Sequence, residues 1–405
     1  MAVHFTHAFC APCKRLKPTL PAFWEALAPR VVVATLDVAG RFNAAALATI
    51  GVTAVPSLQL FDAAKKTLHC TVVFSAMRHL EQAFADLLSL VPPMELHLTI
   101  SEPLMTLPIR PIAAADGWLL GDSDAASASE SDEVVDAVAL LSRFFRLDAS
   151  LALETFENCA VPTKIDFASV CDVRIVSVNA KLHAVLFSSE RWHVVRFSVR
   201  SRRWKLLQTN ADFVPNLRVC GASVCASGDG SFVVVGGLQV PLREAVADCF
   251  ECAVTKRDAV WRRVSTSRSP PARGHASLVA VPGGDLLLCG GDGGEPDLVE
   301  FGDAHRLDSR RDWHIATPTA SCKPRMKHSA VLAGELLLLV GGESDFKPLL
   351  GADSLAALNV ITNCWQELVF GANDVPNLAV AVGASDDGGV LVVDDENRLR
   401  RIKTV

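Results

Sequence analysis

With 405 residues, half of them apolar and 21% charged, the chain is long enough for two or three domains with sizeable cores and is not a disordered composition. A formal net charge of −6 and a pI near 6.0 give no electrostatic footprint for nucleic acid or an anionic membrane. Tyrosine is absent, which excludes phenolate ligands, tyrosyl radicals and tyrosine general acids.

Residues 1–90 alternate strand and helix patterns. Residues 2–6 read as a short strand and residues 12–28 as a helix. Residues 31–38 form a nearly continuous apolar run, the mark of a strand buried on both faces. An Ala-rich helix over 42–50 follows, then strands over 57–61 and 68–74. An amphipathic helix over 77–90 carries Leu80, Phe84, Leu87 and Leu88 on one face, and Val91-Pro92-Pro93 stops it. The predicted domains are therefore 1–91 and 94–405.

Cys10-Ala11-Pro12-Cys13 lies between the first strand and the first helix. At a helix N-terminus the unbonded N–H groups and the dipole favour a thiolate, lowering the pKa of the leading cysteine. Pro12 fits the first turn, where its missing N–H costs nothing. Two cysteines at this spacing can close a disulfide, although zinc sites also use a lone CxxC. Here Pro18 follows eight residues after Cys10, and Val55-Pro56 opens a later strand. Together these segments resemble thioredoxin over about 85 residues. The strand and helix that usually precede the motif strand in that family are absent; the remaining β-α-β-α-β-β-α order is the minimal fold, like that of glutaredoxins, and a truncated start is equally compatible.

The resemblance implies that Cys10 attacks and Cys13 resolves, that Pro56 is the family's cis-proline, and that Val55 pairs with an extended substrate. Phe9, Ala11 and Pro12 complete the substrate-binding surface. The family's Trp-Cys-Gly-Pro-Cys is Phe9-Cys10-Ala11-Pro12-Cys13 here, a change expected to alter redox poise more than competence. His4 stands where the family has a buried Asp, and Thr35 where it has the Lys partner. Imidazole titrates near neutrality, so His4 is the candidate for proton handling.

Beyond residue 94 short β-rich runs alternate with Gly, Pro, Asp and Asn. Gly236-Gly237, Gly290-Gly291 and Gly341-Gly342 each end an apolar run, at spacings of 54 and 51. Trp204, Trp261, Trp313 and Trp365 recur at 57, 52 and 52. Two independent markers with one period near 50 predict radially stacked four-stranded units. Gly permits φ > 0 where backbones approach closely, and Trp offers a flat surface to pack one sheet on the next. Arg273-Gly-His275 and Arg325-Met-Lys-His328 open two units, and the whole resembles kelch repeats, best over 216–368. Ser188-Ser189 replaces the doublet in one unit and Phe156 is expected to replace Trp in the first. The last unit has three strands, and residues 95–100 are expected to supply its fourth. The prediction is a six-bladed propeller, with seven blades as the alternative, carrying an acidic insertion at about 122–133.

No leader or bilayer-spanning segment is predicted, which makes the cytoplasm the expected location and most of the 12 cysteines reduced. Cys249 and Cys252 form a second CxxC inside a strand, where i and i+3 face oppositely, so both are expected in core packing. His275 and His328 read as equivalent repeat-signature residues rather than metal ligands. The basic run 200–205 reads as a solvated turn. The segment 290–294 lacks the Lys-Ser/Thr of a phosphate loop. Some kelch-like propellers are copper oxidases with a Cys–Tyr radical, a reading the missing Tyr excludes.

The functional expectation is a protein-disulfide reductase whose propeller recruits protein clients. It needs no metal, and no cofactor besides the Cys10–Cys13 disulfide. A thioredoxin- or glutathione-type reductant would recycle it. The alternative is a redox-silent or redox-sensing adaptor that works through propeller binding alone.

Overall fold

A computed structural model describes residues 2–6, 13–14, 33–37, 57–62 and 67–73 of the N-terminal part. From residue 95 onward it describes all but 109, 123–135, 149, 210–212, 229, 266–268, 297, 318–321, 371–374, 386–387 and 405. The chain divides into two compact units, Met1–Met94 with Ile361–Cys364, and Glu95–Val360 with Trp365–Val405.

In the first unit, β1 (Ala2–Thr6), β2 (Val33–Asp37), β3 (Ser57–Asp62) and β4 (Thr67–Val73) form one sheet in the order β2-β1-β3-β4. β1 runs parallel to β2 and antiparallel to β3, and β3 runs antiparallel to β4. These are the four strands expected from the sequence. A parallel pair needs a crossover of a dozen or more residues, and the segment from β1 to β2 has that length. The expected helices over 42–50 and 77–90, and most of that over 12–28, lie outside the described residues.

The described part of the second unit contains six four-stranded antiparallel groups, sheets 1 to 6; Gln208–Thr209 adds a parallel strand to the third, and parallel pairing of Cys364–Phe370 with Glu95–Ile100 joins the fifth to the sixth. Sheet 1 comprises Arg110–Ala115, Trp118–Asp122, Phe144–Leu147 and Leu153–Phe156. Sheet 2 comprises Val170–Val178, Lys181–Ser188, His193–Ser198 and Arg203–Leu206. Sheet 3 comprises Ser223–Ala226, Ser231–Val235, Cys249–Val254 and Asp258–Arg263. Sheet 4 comprises Ser277–Ala280, Leu286–Cys289, Ala304–Leu307 and Trp313–Ile315. Sheet 5 comprises Ser329–Ala333, Leu336–Val340, Leu355–Asn359 and Cys364–Phe370. In sheet 6, Leu378–Ala384, Val390–Asp394 and Arg398–Thr404 take Glu95–Ile100 as fourth strand, with Ile402 opposite Ile100. Each sheet's first strand lies beside the next sheet's first strand, and that of sheet 6 returns to that of sheet 1. The arrangement is that of a β-propeller.

Apolar faces of consecutive sheets make the cores. Trp204 packs in the core between sheets 1 and 2, Trp261 between 2 and 3, Trp313 between 3 and 4, and Trp365 between 4 and 5. Each lies on its sheet's fourth strand and faces the preceding sheet. Phe156, also on a fourth strand, does not take this role. It packs toward sheet 2, against Phe144 and Trp118, so its side chain is on the opposite face. Leu98 supplies the apolar residue in the core between sheets 5 and 6.

The Gly doublets have a specific cause. Gly236 and Gly290 have φ of +66° and +63°. A Cβ on either would meet the carbonyl oxygen of the next sheet's opening arginine, Arg273 or Arg325. That same oxygen accepts a hydrogen bond from the second glycine, Gly237 N at 2.9 Å and Gly291 N at 2.8 Å. A serine ring adds a second tie. Ser223 Oγ donates to Ala276 O (2.7 Å) and Ser277 Oγ to His328 O (3.0 Å), while Ser329 Oγ accepts from Ala381 N (2.6 Å). Ser277→Ala should therefore lower stability by about 1 kcal/mol through a lost inter-sheet hydrogen bond, read as a lower urea midpoint with an unchanged slope.

Candidate functional site

The redox segment begins where β1 ends. β1 is central in its sheet, with Phe5 opposite Ser57 at the start of β3. The chain thus leaves β1 toward Cys10–Cys13 at the same end of the sheet where it enters β3 from Val55-Pro56. His4 has Thr35 and Leu58 as its register neighbours in β2 and β3. Phe9, Cys10, Ala11, Pro12, Val55 and Pro56 lie outside the described residues, as does the side chain of His4. Cys13 is helical, buried and disulfide-bonded, with Lys14 exposed beside it. Gln59, a fully buried polar residue of β3 opposite Val3, was not singled out from the sequence. Its only signal there was a polar letter inside an apolar strand.

The propeller's first strands enclose a channel with cavities of about 270 and 350 Å³. One is lined mainly by alanines and valines. The other carries Ser223, Ser277, Arg174, His275 and Lys327. Each charged group there is engaged. Arg174 Nε lies 3.0 Å from Asp172, His275 Nδ1 2.8 Å from Asp292 and Lys327 Nζ 2.9 Å from Glu343. No nucleophile with an adjacent base is present among the described channel residues.

These ion pairs correct the sequence register of the repeats. His275 and Lys327 share left-handed φ (52° and 54°), and both bind an acid. His328 instead matches Ala276, since each gives its carbonyl to the serine ring. His275 and His328 are therefore not equivalent. Neither belongs to a metal-holding cluster among the described residues.

Arg273 and Arg325 are functional in the fold, a role the sequence did not announce. Both are buried. Arg273 Nη1 donates to Gly290 O (2.9 Å) and forks onto Asp303, while Arg325 Nη1 donates to Gly341 O (3.2 Å). They satisfy carbonyls of the doublets that begin their own sheets' outward loops.

The loops joining second and third strands of sheets 3, 4 and 5 expose Leu242 (60%), Val299 (50%) and Phe346 (60%). One backbone and one side-chain hydrogen bond tie these loops to each other. Glu295 N donates to Arg243 O (3.0 Å) and Asp345 N to Glu300 Oε1 (2.8 Å). Of the basic run 200–205, Arg200–Arg202 form an exposed turn with Arg202 in left-handed geometry, whereas residues 203–205 begin the fourth strand of sheet 2 with Trp204 buried, so only the first half is the solvated turn expected. Cys249 and Cys252 are both buried and belong to different inter-sheet cores, so they face oppositely as their spacing requires.

A thioredoxin family model matches residues 1–83, and a KLHDC2/KLHL20/DRC7 kelch-repeats domain model matches residues 186–385. The chain carries a thioredoxin domain followed by kelch repeats. Three rice (Oryza sativa subsp. japonica) proteins are similar to it. Adagio-like protein 1 and putative adagio-like protein 2 are each 28% identical over 169 residues, covering 41% of this chain and 26% of the relative. Adagio-like protein 3 is 30% identical over 151 residues, covering 37% of this chain and 24% of the relative. The chain thus spans about a quarter of the length of these relatives. Kelch repeats suggest protein–protein interaction.

Proposed function

We propose that this chain is a thiol–disulfide oxidoreductase of the protein-disulfide reductase type, with a six-bladed kelch propeller recruiting its protein clients. The observation that carries the reading is the disulfide-bonded, buried Cys13 in helical conformation. Nine other cysteines are free, which leaves Cys10 and Cys70 as its candidate partners, and Cys10 has the CxxC spacing. In the reductive direction the Cys10 thiolate attacks a client disulfide, forming a mixed disulfide and releasing one client thiolate. The Cys13 thiolate then attacks the Cys10 sulfur, which frees the second client thiolate and closes Cys10–Cys13. A cytoplasmic thioredoxin- or glutathione-type reductant returns the two electrons. Val55, Pro56, Phe9, Ala11 and Pro12 form the client-binding surface, and His4 manages the proton of Cys13.

Cys10→Ser should reduce insulin-disulfide cleavage to the uncatalysed background while leaving client capture by the propeller intact. Cys13→Ser should instead accumulate mixed disulfides, because the resolving thiol is gone. A second reading, a redox-silent adaptor, is favoured by the exposed Leu242, Val299 and Phe346 and by His4 at the family's Asp position. Under that reading Cys10→Ser changes no measurable activity.

A further inference from the structure

Two cysteines of the propeller are brought together by contacts that the redox segment does not involve. The first strand of sheet 2 begins with a bulge. Val170 lies opposite Ser188 and Asp172 opposite Phe187, leaving Cys171 as the extra residue. A bulge re-aims the side chain it carries. The Cys171 thiol points to the segment that enters sheet 3, 3.3 Å from Val219 O and 3.3 Å from Phe187 O. The next residue reaches the same segment, with Asp172 Oδ2 accepting from Gly221 N at 2.8 Å. Residues 171 and 172 thus grip residues 219 and 221, and Cys220 lies between the two grips. Both cysteines are free and half-buried. Cys159, Cys249, Cys252 and Cys289, by contrast, are buried.

We infer that Cys171 and Cys220 form a dithiol that closes reversibly to a disulfide linking sheet 2 to the entry of sheet 3, with a small disulfide such as glutathione disulfide as oxidant. The Cys220 thiolate attacks one glutathione sulfur and a glutathione thiolate leaves. The Cys171 thiolate then attacks the Cys220 sulfur and displaces the second glutathione. The two cysteine hydrogens leave as protons, and the two electrons end on two glutathione thiols. Burial, then the Asp172 carboxylate and Cys220, push the Cys171 thiol up to about 11, while Arg218 opposes them. Burial, then Asp172, also raises Cys220. With both thiols raised, the exchange is slow at neutral pH and gains about tenfold per pH unit while the thiols remain protonated.

The test uses the full chain carrying Cys10→Ser and Cys13→Ser, so the CxxC cannot contribute. The protein is equilibrated with glutathione and glutathione disulfide at several ratios, then alkylated, digested and analysed by mass spectrometry. The expected product is a linked pair of peptides containing Cys171 and Cys220, two hydrogens lighter than the reduced pair. It should form about tenfold faster at pH 8 than at pH 7 and disappear with dithiothreitol. With Cys171→Ser added, the reaction should stop at a glutathione adduct on Cys220. Both cysteines alkylated at every ratio, or separate glutathione adducts without a linked pair in the unsubstituted dithiol, would overturn the inference.

Discussion

Asp394→Ala should destabilise the propeller by about 3–5 kcal/mol, because it strands a buried arginine at the seam where the ring closes. Asp394 is 1% exposed and sits on the second strand of sheet 6. Its Oδ2 takes Arg398 Nε at 2.8 Å and Arg400 Nε at 2.7 Å. Arg400, itself buried, reaches on to Ser101 O at 3.1 Å, just past the strand that completes the sheet. Ser101 N also donates to Arg401 O, and Leu104 N to Leu399 O, both at 2.8 Å. One carboxylate thus orients Arg400, which ties the end of the closing strand to the C-terminal strand, while its other partner, Arg398, pairs also with Glu396. The loss should appear as a lower urea midpoint. Asp394→Ala combined with Arg400→Leu should recover part of it, because the stranded charge is removed. A single substitution costing less than about 1 kcal/mol would show that the seam is held by backbone pairing alone.

The second large effect is acid sensitivity above the range where carboxylates titrate. His328 is buried with its ring against Gly290, and burial holds its pKa down to about 3. His183 is buried beside Lys181 O, and burial lowers it to about 4. Both stay neutral in the fold, whereas in the unfolded chain they bind protons near pH 6.5. Between these limits the unfolded state holds more protons, so stability rises with pH. It is fully present above about pH 6.5 and falls as pH drops toward 4, by about 3 kcal/mol for a site shifted as His183 is. The acids Asp303 and Asp394, held below the ordinary carboxylate range by arginine and histidine partners, add loss only at lower pH. His328→Leu should therefore flatten the curve of stability against pH between 6.5 and 4. An unchanged slope in that variant would assign the acid sensitivity elsewhere.

How much of this was legible in the sequence depended on whether a position admits substitutes. The Gly doublets were readable because no other residue tolerates a neighbouring carbonyl where its Cβ would stand, and the Trp period because few side chains span two sheets. The fourth strand at Glu95–Ile100 followed from counting three strands in the last unit. The opposed faces of Cys249 and Cys252 followed from the two-residue period of a strand. Ser223, Ser277 and Ser329 have the same repeat spacing, 54 and 52, yet serine is too common for that to stand out. His275 and His328 misled because their letters match while their registers differ by one residue. Phe156 misled because aromaticity does not report which face of a strand is inward. The short helix α1 (Ala137–Ser142), capped by Asp136 at 2.9 Å, went unseen because six residues carry too little periodicity. In the thioredoxin domain the four strands were legible from apolar runs, and the cysteine pair from its place after a strand. The side chains around that pair owe their roles to the resemblance rather than to any pattern that spacing alone supplies.

The central claim is that Cys10 and Cys13 cycle between dithiol and disulfide while reducing protein clients. It is tested most directly by equilibrating the full chain in glutathione buffers of set potential, quantifying the Cys10 and Cys13 thiols by mass spectrometry, and following insulin reduction in parallel. The account predicts a couple between about −270 and −200 mV with turnover that Cys10→Ser removes. A pair that remains reduced at every potential, with insulin untouched, would contradict it and leave a two-domain adaptor.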